Sequence, residues 1–326
     1  MGSARSTALL AAVCAACGAF SSEATSPPDD AGGAPDGPPG ADASAIPDGA
    51  LQPDGAPPLP DAGACDPTKP FEAPTSLELR LTSLTRRTMA LPAPDELTFY
   101  VTADTGPADG VFYNTRPSVD APFGDPASLQ GAFNSGTTSR AHPSITDDGT
   151  ALYYARGTKP NSVIYVATRA SKGLQFDGGR NVTGLGGTGA AIDPYVTPDG
   201  ATIYFADDSG MGNGSDIFVA QRNGGAASFM IPLRQDAISS IGEERAPIPS
   251  RDELTLFFAR KVSGVYRVFV ATRASKGDTF GGATNLAVLD APTDTFPMGV
   301  SADGCTLYLA VDNGNNAAFK TARRAR

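Results

Sequence analysis

Short apolar, β-branched runs recur along the chain, each placed at the same distance after an aspartate. The five aspartates stand in Asp-Gly or Asp-Glu pairs and are separated by 53, 51, 53 and 51 residues: Asp95, Asp148, Asp199, Asp252 and Asp303. Four to seven residues after each comes a run such as Leu152-Tyr153-Tyr154-Ala155. Aromatic and β-branched residues bounded by turn residues predict β-strands.

Two further features recur in every unit. A second apolar run, such as Ile164-Tyr165-Val166, is followed five residues after its start by an arginine. These arginines are Arg116, Arg169, Arg222, Arg273 and Arg323. A segment led by a phenylalanine predicts another strand, at Phe71, Phe123, Phe176, Phe229 and Phe280. The octapeptide Val166–Gly173 is even repeated exactly as Val270–Gly277.

A short piece before each aspartate, such as Pro194-Tyr195-Val196-Thr197, completes a unit of four strands. Four short strands per repeat are typical of a propeller blade. The chain from residue 67 to residue 326 is therefore predicted to be all-β, a five-bladed β-propeller with four antiparallel strands per blade. Because the repeat starts with an outer strand and ends after a third strand, the N-terminal strand should complete the last blade and remove an open edge.

The third unit carries the clearest resemblance to a known repeat. Asp193-Pro194-Tyr195-Val196-Thr197-Pro198-Asp199-Gly200, followed by Ile203-Tyr204-Phe205-Ala206 and Ile217-Phe218-Val219, resembles the WD-like β-propeller repeat of TolB and of many exported bacterial proteins. The resemblance covers about 255 residues. It implies a propeller that binds proteins or small ligands, and it implies no general set of catalytic residues.

Residues 1–19 are predicted to be an export signal. Arg5 supplies a positive charge, and an apolar run from Ala8 to Ala16 follows, too short to span a bilayer. Cys17, followed by Gly18, resembles the lipidated cysteine of a bacterial lipoprotein signal. We therefore expect lipidation at Cys17, with simple cleavage as the alternative. The protein would be anchored at the outer membrane, or would be periplasmic or extracellular, and would touch a membrane only through its lipid.

Residues 20–66 are predicted to be a disordered linker, because Pro, Gly, Ala and Asp bury too little apolar surface to offset chain entropy. The first 66 residues hold nine of the 35 acidic residues and one of the 25 basic residues. The propeller itself is therefore nearly neutral. Nucleic-acid binding, which needs a basic face, is not expected.

The two cysteines outside the signal are predicted to form a disulfide. Cys65 lies just before the closing strand, and Cys305 lies in the turn after Asp303 in the last blade. An exported protein is in a compartment that permits such a bond. Two unpaired thiols are the alternative.

Candidate ligand-binding residues lie where the chain enters the innermost strand of each blade, because these entries surround one end of the channel. They are Arg140, His142, Asp193, Glu244, Arg245 and Asp294. Such mixed charge is typical either of a site for a polar ligand or of a rim whose charges pair with one another. If the protein is an enzyme, Asp193, Glu244 and Asp294 are the candidate catalytic carboxylates of a glycoside hydrolase or lyase.

No cofactor or metal is expected from the sequence. His142 is the single histidine, which leaves no histidine-rich metal site. Gly184–Gly189 matches G-x-G-x-x-G, but no helix follows it, so we assign it to a loop. Asp207–Asp216 is rich in oxygen ligands, yet it is explained as a long hairpin loop. The leading interpretation is a monomeric, non-enzymatic scaffold that binds a protein, cell-wall or glycan ligand on one face.

Overall fold

The computed structural model describes residues 65–66, 68–104, 106, 108–130, 133–134, 137–185, 189–208, 214–222 and 228–325. The predicted export signal, Cys17 and nearly all of the predicted linker lie outside these residues. So do parts of the two loops at 184–189 and 207–216.

The described chain forms five four-stranded antiparallel sheets, arranged as the blades of a propeller. The first strand along the chain, β1 (Thr75–Ser76), belongs to the last blade. Blade 1 contains β2 (Thr85–Pro92), β3 (Thr98–Asp104), β4 (Asp109–Thr115) and β5 (Ala127–Ser128). Blade 2 contains β6 (Arg140–Ile145), β7 (Ala151–Arg156), β8 (Val163–Thr168) and β9 (Arg180–Asn181).

The remaining three blades repeat this order. Blade 3 contains β10 (Ala191–Val196), β11 (Thr202–Asp207), β12 (Asp216–Gln221) and β13 (Leu233–Arg234). Blade 4 contains β14 (Glu244–Pro249), β15 (Thr255–Val262), β16 (Val265–Thr272) and β17 (Thr284–Asn285), followed by a short 3₁₀ turn (Ala287–Leu289). Blade 5 contains β18 (Asp294–Val300), β19 (Thr306–Asp312), β20 (Ala317–Arg323) and β1.

The five inner strands β2, β6, β10, β14 and β18 surround the central channel. Each contacts the inner strand of the next blade, and β18 contacts β2, so the ring is closed. The sequence prediction of a five-bladed propeller is confirmed. The outer strands begin four residues after the phenylalanines that were expected to lead them, so that Phe123, for example, is buried before β5 begins.

The recurring aspartates form the turns between the first and second strands of each blade, and we call this end of the propeller the turn end. In blade 3, Oδ1 of Asp199 accepts hydrogen bonds from the Ala201 N–H at 2.9 Å and from the Thr197 hydroxyl at 2.6 Å. Blade 1 has Ala93 in place of this threonine, although Asp95 still accepts the Leu97 N–H at 3.0 Å. The aspartates are therefore scaffold residues, as their repetition predicts.

The recurring arginines link the same turns to the outer part of each blade. In blade 2, Nε of Arg169 donates to the Gly149 carbonyl at 2.7 Å, and its guanidinium carbon lies 4.3 Å from the centre of the Phe176 ring. The same stack occurs in the other blades, between Arg116 and Phe123, Arg222 and Phe229, Arg273 and Phe280, and Arg324 and Phe71. One arginine therefore ties a turn carbonyl to a buried ring in every blade.

The fifth of these arginines is Arg324, and the prediction of Arg323 is wrong by one residue. Phe319 pairs with Ala310, just as Ile164 pairs with Ala155 in blade 2, so the repeat in β20 starts one residue later than the sequence comparison placed it. Arg323 is exposed at the end of β20.

A tyrosine follows four of the five turn aspartates by five residues and lies at the joint between successive blades. The Tyr204 hydroxyl donates to Oε2 of Glu253 at 3.0 Å and accepts from Nη2 of Arg273 at 3.3 Å, which links blade 3 to blade 4. Blade 4 has Phe257 at this position, and its ring packs edge-on against Phe71 at 5.9 Å. This joint between blades 4 and 5 therefore lacks a hydroxyl link.

The propeller closes in blade 5 as the phase of the repeat predicted. Thr75 pairs with Thr321 and Ser76 with Lys320, so β1 lies beside β20. Cys65 and Cys305 are disulfide-bonded, with their Cα atoms 6.0 Å apart and a sequence separation of 240 residues. A covalent link therefore joins the start of the propeller to the turn of its last blade.

Candidate functional site

A cavity of about 370 Å³ lies at the end of the channel opposite the turn end, and we call it the channel mouth. Every blade contributes to its lining, through Asp109, His142, Ile192, Arg245 and Asp294. The inner strands all enter the propeller at this end, and the hairpins between second and third strands also emerge here. The two sets of segments therefore meet around one opening.

A bulge shapes the start of three consecutive inner strands. His142, Asp193 and Ala246 occupy the same position in β6, β10 and β14, and their φ angles are 53°, 53° and 50°. Positive φ is costly for residues other than glycine. Because Ala246 adopts it without any side-chain chemistry, the bulge belongs to the scaffold. What differs between blades is the side chain that the bulge displays.

Asp193 connects three blades beneath the mouth. Its side chain is only 2% exposed, and its Oδ2 accepts from Nε of Arg245 at 2.9 Å and from the Ala246 N–H at 3.0 Å. Its Oδ1 accepts from Nη2 of Arg245 at 3.0 Å and lies against Nδ1 of His142. The bidentate pairing fixes the guanidinium plane of Arg245.

The charges of this cluster stabilise one another. Burial opposes ionisation of Asp193, but Arg245 and His142 outweigh it and hold the pKa of its carboxyl well below the usual range. Burial likewise opposes the charge on Arg245, yet Asp193 raises the pKa of the guanidinium. Asp193 therefore stays ionised and acts as the structural counter-ion of Arg245.

Three other carboxylates line the mouth: Asp109, Asp294 and Asp312. Oδ1 of Asp294 accepts the Tyr266 N–H at 2.9 Å, and Oδ1 of Asp312 accepts the Gly314 N–H at 2.8 Å. Within the described part of the chain, none of the three is paired with a cation. These carboxylates therefore retain oxygen atoms that can accept hydrogen bonds from a ligand.

Lys159, Tyr266 and Phe296 complete the surface of the mouth. Nζ of Lys159 donates to Oγ of Ser215 at 2.7 Å. The Tyr266 hydroxyl donates to Glu243, and burial together with this bond raises the pKa of the phenol. The mouth thus combines hydrogen-bonding groups at its edge with aromatic rings in its wall.

Glu244 does not line the mouth. Its side chain is fully buried inside blade 4, where Nε of Arg260 donates to it at 2.8 Å and the Ser240 hydroxyl donates to it at 2.5 Å. Burial raises the pKa of this carboxyl in spite of both hydrogen bonds.

Arg140 occupies the same register position as Glu244, opposite Arg156 where Glu244 is opposite Arg260. Its side chain is also buried, beside the Phe133 ring, and Nη1 donates to the Thr138 carbonyl at 2.9 Å. Side chains at this register position turn into the blades.

Of the six residues proposed from the sequence, His142, Arg245 and Asp294 line the mouth and Asp193 lies directly beneath it. Sequence reasoning missed Asp109, Lys159, Tyr266 and Asp312. The sequence candidates all lie at the entries to the inner strands. These four residues lie in or beside the hairpins between second and third strands, which emerge at the same end. Aspartates at both ends of such a hairpin, as at Asp104 and Asp109, were the available signal.

Among the described residues, no cluster of three or more His, Cys, Asp or Glu side chains is arranged to hold a metal ion. In the same residues, no helix has the length and apolar character needed to cross a membrane.

No protein-family model matches the sequence, and no curated protein matches it. Solved structures of similar fold include a family 117 glycoside hydrolase from the marine bacterium Zobellia galactanivorans, with 14% identity and a TM-score of 0.54, covering 78% of this chain and 90% of that one. A thermostable family 43 glycoside hydrolase has 13% identity and a TM-score of 0.52, covering 74% and 90%. These similarities support the five-bladed fold.

TolB from Acinetobacter baumannii is also similar, with 14% identity and a TM-score of 0.47 over 74% of this chain. The match covers 54% of the TolB chain, so the present chain spans about half the length of that protein.

Proposed function

We propose that this protein is an exported, lipid-anchored propeller that binds a small polyhydroxylated unit of a cell-envelope glycan in the channel mouth, without turning it over. The observation that carries the proposal is that residues that differ from blade to blade meet at one cavity. The repeated residues lie at the turn end or between blades. Ligand sites on repeated scaffolds are expected where the repeats differ.

The chemistry of the mouth suits a sugar. Asp109, Asp294 and Asp312 can accept hydrogen bonds from hydroxyl groups, while Tyr266 and Phe296 supply an apolar wall. A sugar ring presents hydroxyls at its edge and C–H groups on its faces, which matches this division. The volume of about 370 Å³ lies near the lower end of the range for small-ligand sites.

Binding without turnover is favoured by the positions of two carboxyls. Glycoside hydrolysis needs one protonated carboxyl and one ionised carboxyl on either side of the scissile bond. Asp193 is ionised but is held by Arg245, and Glu244 is buried inside blade 4. Neither can contact a sugar in the mouth without leaving its present partners.

A second candidate function is that of an exported glycoside hydrolase or lyase. The observation in its favour is that Asp109, Asp294 and Asp312 come from two blades and face one cavity without cationic partners in the described chain. In this hypothesis Asp294, rather than Glu244, would be among the reacting carboxyls.

A glycan panel tests both candidates with the mature protein. We expect one class of envelope glycan to bind, and Asp294→Asn to weaken binding by about tenfold, which corresponds to about 1.4 kcal/mol. Asp120→Asn is the matched control, because Asp120 is exposed and does not line the mouth. Equal affinity in the wild type and Asp294→Asn would refute the site. Release of reducing ends by the wild type, and loss of it in Asp294→Asn, would establish the second candidate.

Lipid anchoring is tested separately on the full-length chain expressed in a Gram-negative host. We expect incorporation of labelled palmitate that is lost in Cys17→Ala and kept in Cys14→Ala. Soluble, unlabelled wild-type protein would show simple cleavage instead.

A further inference from the structure

A second cavity, of about 410 Å³, lies between blades 1 and 2 near the turn end, and we call it the joint pocket. It is formed where blade 1 and blade 2 face each other, at the end of the strands away from the channel mouth. Its wall holds three aromatic side chains, those of Tyr100, Tyr113 and Phe176, together with Leu129 and Ile145.

The corresponding groove between blades 2 and 3 is divided into two depressions, with Arg222 lining both. Arg180 lines the outer depression and pairs with Val166, whereas the equivalent residue of blade 1 is Ala127, paired with Tyr113. Thr146 lines the inner of the two depressions. The residue at the same position of blade 1, two residues before the turn aspartate, is Ala93, which lines the joint pocket. Within the described residues of the two joints, three positions therefore distinguish this one: Ala93 and Tyr113 line the joint pocket, and Ala127 adjoins its lining residue Ser128.

The two carboxylates and the lysine that line the joint pocket are each paired with an opposite charge. Lys172 pairs with Asp95 at 3.2 Å, and Asp147 pairs with Arg251 at 3.3 Å. Nε of Arg169 donates to the Gly149 carbonyl at 2.7 Å, with its guanidinium stacked on Phe176. A cationic ligand would have to displace Lys172 or Arg251, an anionic ligand would have to compete with the carbonyl and the ring that hold Arg169, and an uncharged ligand would need to do neither.

The hydroxyl of Tyr100 is a neutral hydrogen-bonding group, and burial raises the pKa of this phenol further, to about 12. Gln130, Gln175 and Thr115 provide further neutral hydrogen-bonding groups in the lining. The polar groups of the pocket are thus matched to a ligand with few polar atoms and no net charge.

We infer that the joint pocket binds an uncharged small molecule that carries aromatic or other apolar rings. The apolar rings would pack against Tyr100, Tyr113 and Phe176, and the molecule would be held without any new ion pair. This site is independent of the channel mouth, since it lies at the other end of the blades and shares no lining residue with it.

The test uses N-phenyl-1-naphthylamine, a neutral two-part aromatic amine that fluoresces in apolar surroundings. We expect saturable binding to the mature protein. Ala127→Arg, which reproduces the side chain of Arg180, should weaken binding by about tenfold. Leu233→Arg places an arginine at the equivalent position of blade 3 and should leave binding unchanged.

Tyr113→Val reproduces Val166 and removes one aromatic wall, so it should weaken binding by about fivefold or more. Urea unfolding of both blade 1 variants shows whether they are folded. Absence of saturable binding to the wild type would overturn the inference, as would an equal loss in Leu233→Arg. Tight binding of uncharged sugars here, with none of the dye, would also overturn it, because the ligand would then be polar.

Discussion

The two ends of this propeller differ in how they use the same repeat. At the turn end, each blade carries an aspartate that closes a turn and an arginine stacked on a phenylalanine, as in Asp148, Arg169 and Phe176. At the channel mouth, the bulge position displays His142 in blade 2, Asp193 in blade 3 and Ala246 in blade 4. The backbone is repeated at both ends, but the chemistry is repeated only at the first. The stabilising contacts at the turn end are therefore shared among all five blades, whereas those at the mouth depend on a single cluster around Asp193.

The largest expected effect is the loss of Asp193. Asp193→Ala leaves Arg245 without its carboxylate and the Ala246 N–H without an acceptor. Breaking a buried ion pair from one side costs about 3 to 5 kcal/mol of unfolding free energy. The matched change at the turn end, Asp199→Ala, removes local hydrogen bonds and should cost about 1 kcal/mol. Urea unfolding of both variants at pH 7 measures the difference. Equal losses of unfolding free energy would contradict the special importance of the Asp193 cluster.

The next effect concerns the disulfide at the turn end. Loss of the Cys65–Cys305 disulfide should cost about 2 to 4 kcal/mol, because the bond restricts the unfolded chain. Urea unfolding with and without reductant measures this. The double variant Cys65→Ser/Cys305→Ser serves as the control, and its unfolding should not respond to reductant. A wild-type midpoint that also fails to respond would show that the two thiols are unpaired.

These two ends also differ in how far the sequence predicts them. The turn chemistry is local, so the repeated turn pairs, apolar runs and arginines predicted five blades. The phase of the repeat predicted the closing strand, and the positions of Cys65 and Cys305 beside that closure predicted the disulfide. Glu244 was misplaced because successive side chains of a strand face opposite sides, so that Arg245 reaches the mouth whereas Glu244 turns into blade 4 and contacts Arg260. Asp312 was missed because its place at the mouth depends on how hairpins from different blades converge. Such convergence is a property of the closed ring, and aspartates at hairpin ends, as at Asp104 and Asp109, are only an indirect sign of it.

A smaller effect is expected from pH, with opposite signs for two carboxyls. The pKa of Asp193 is lowered in the folded state, so its contribution to stability is present above about pH 4, the pKa of an unfolded aspartate, and is lost as the pH falls further. The pKa of Glu244 is raised in the folded state, so its contribution is present below about pH 4.3 and is lost as the pH rises through the folded value.

Unfolding free energies measured between pH 3 and pH 7 should therefore diverge for two variants. Relative to the wild type, Asp193→Asn should become less stable as the pH rises from 3 to about 4, and Glu244→Gln should become more stable as the pH rises above about 4.3. Each slope is limited to about 1.4 kcal/mol per pH unit for one proton. Slopes of the same sign would mean that the two sites are not electrostatically different.

The smallest expected effect is a gain of stability at the joint between blades 4 and 5. Phe257 stands where the other blades have tyrosine, and it lines an open groove together with Arg324. In Phe257→Tyr, the added hydroxyl should accept a hydrogen bond from Arg324, as Tyr204 does from Arg273. One such bond is worth about 0.5 to 1.5 kcal/mol, provided that the new hydroxyl is not left without a partner.

Tyr204→Phe is the matched control and should lose a similar amount, because it removes the bonds to Glu253 and Arg273. Thermal unfolding of both variants decides between two explanations. A gain and a loss of similar size would mean that the joints between blades are interchangeable, whereas a loss in both variants would mean that the edge-on packing of Phe257 against Phe71 makes this closing joint different from the others.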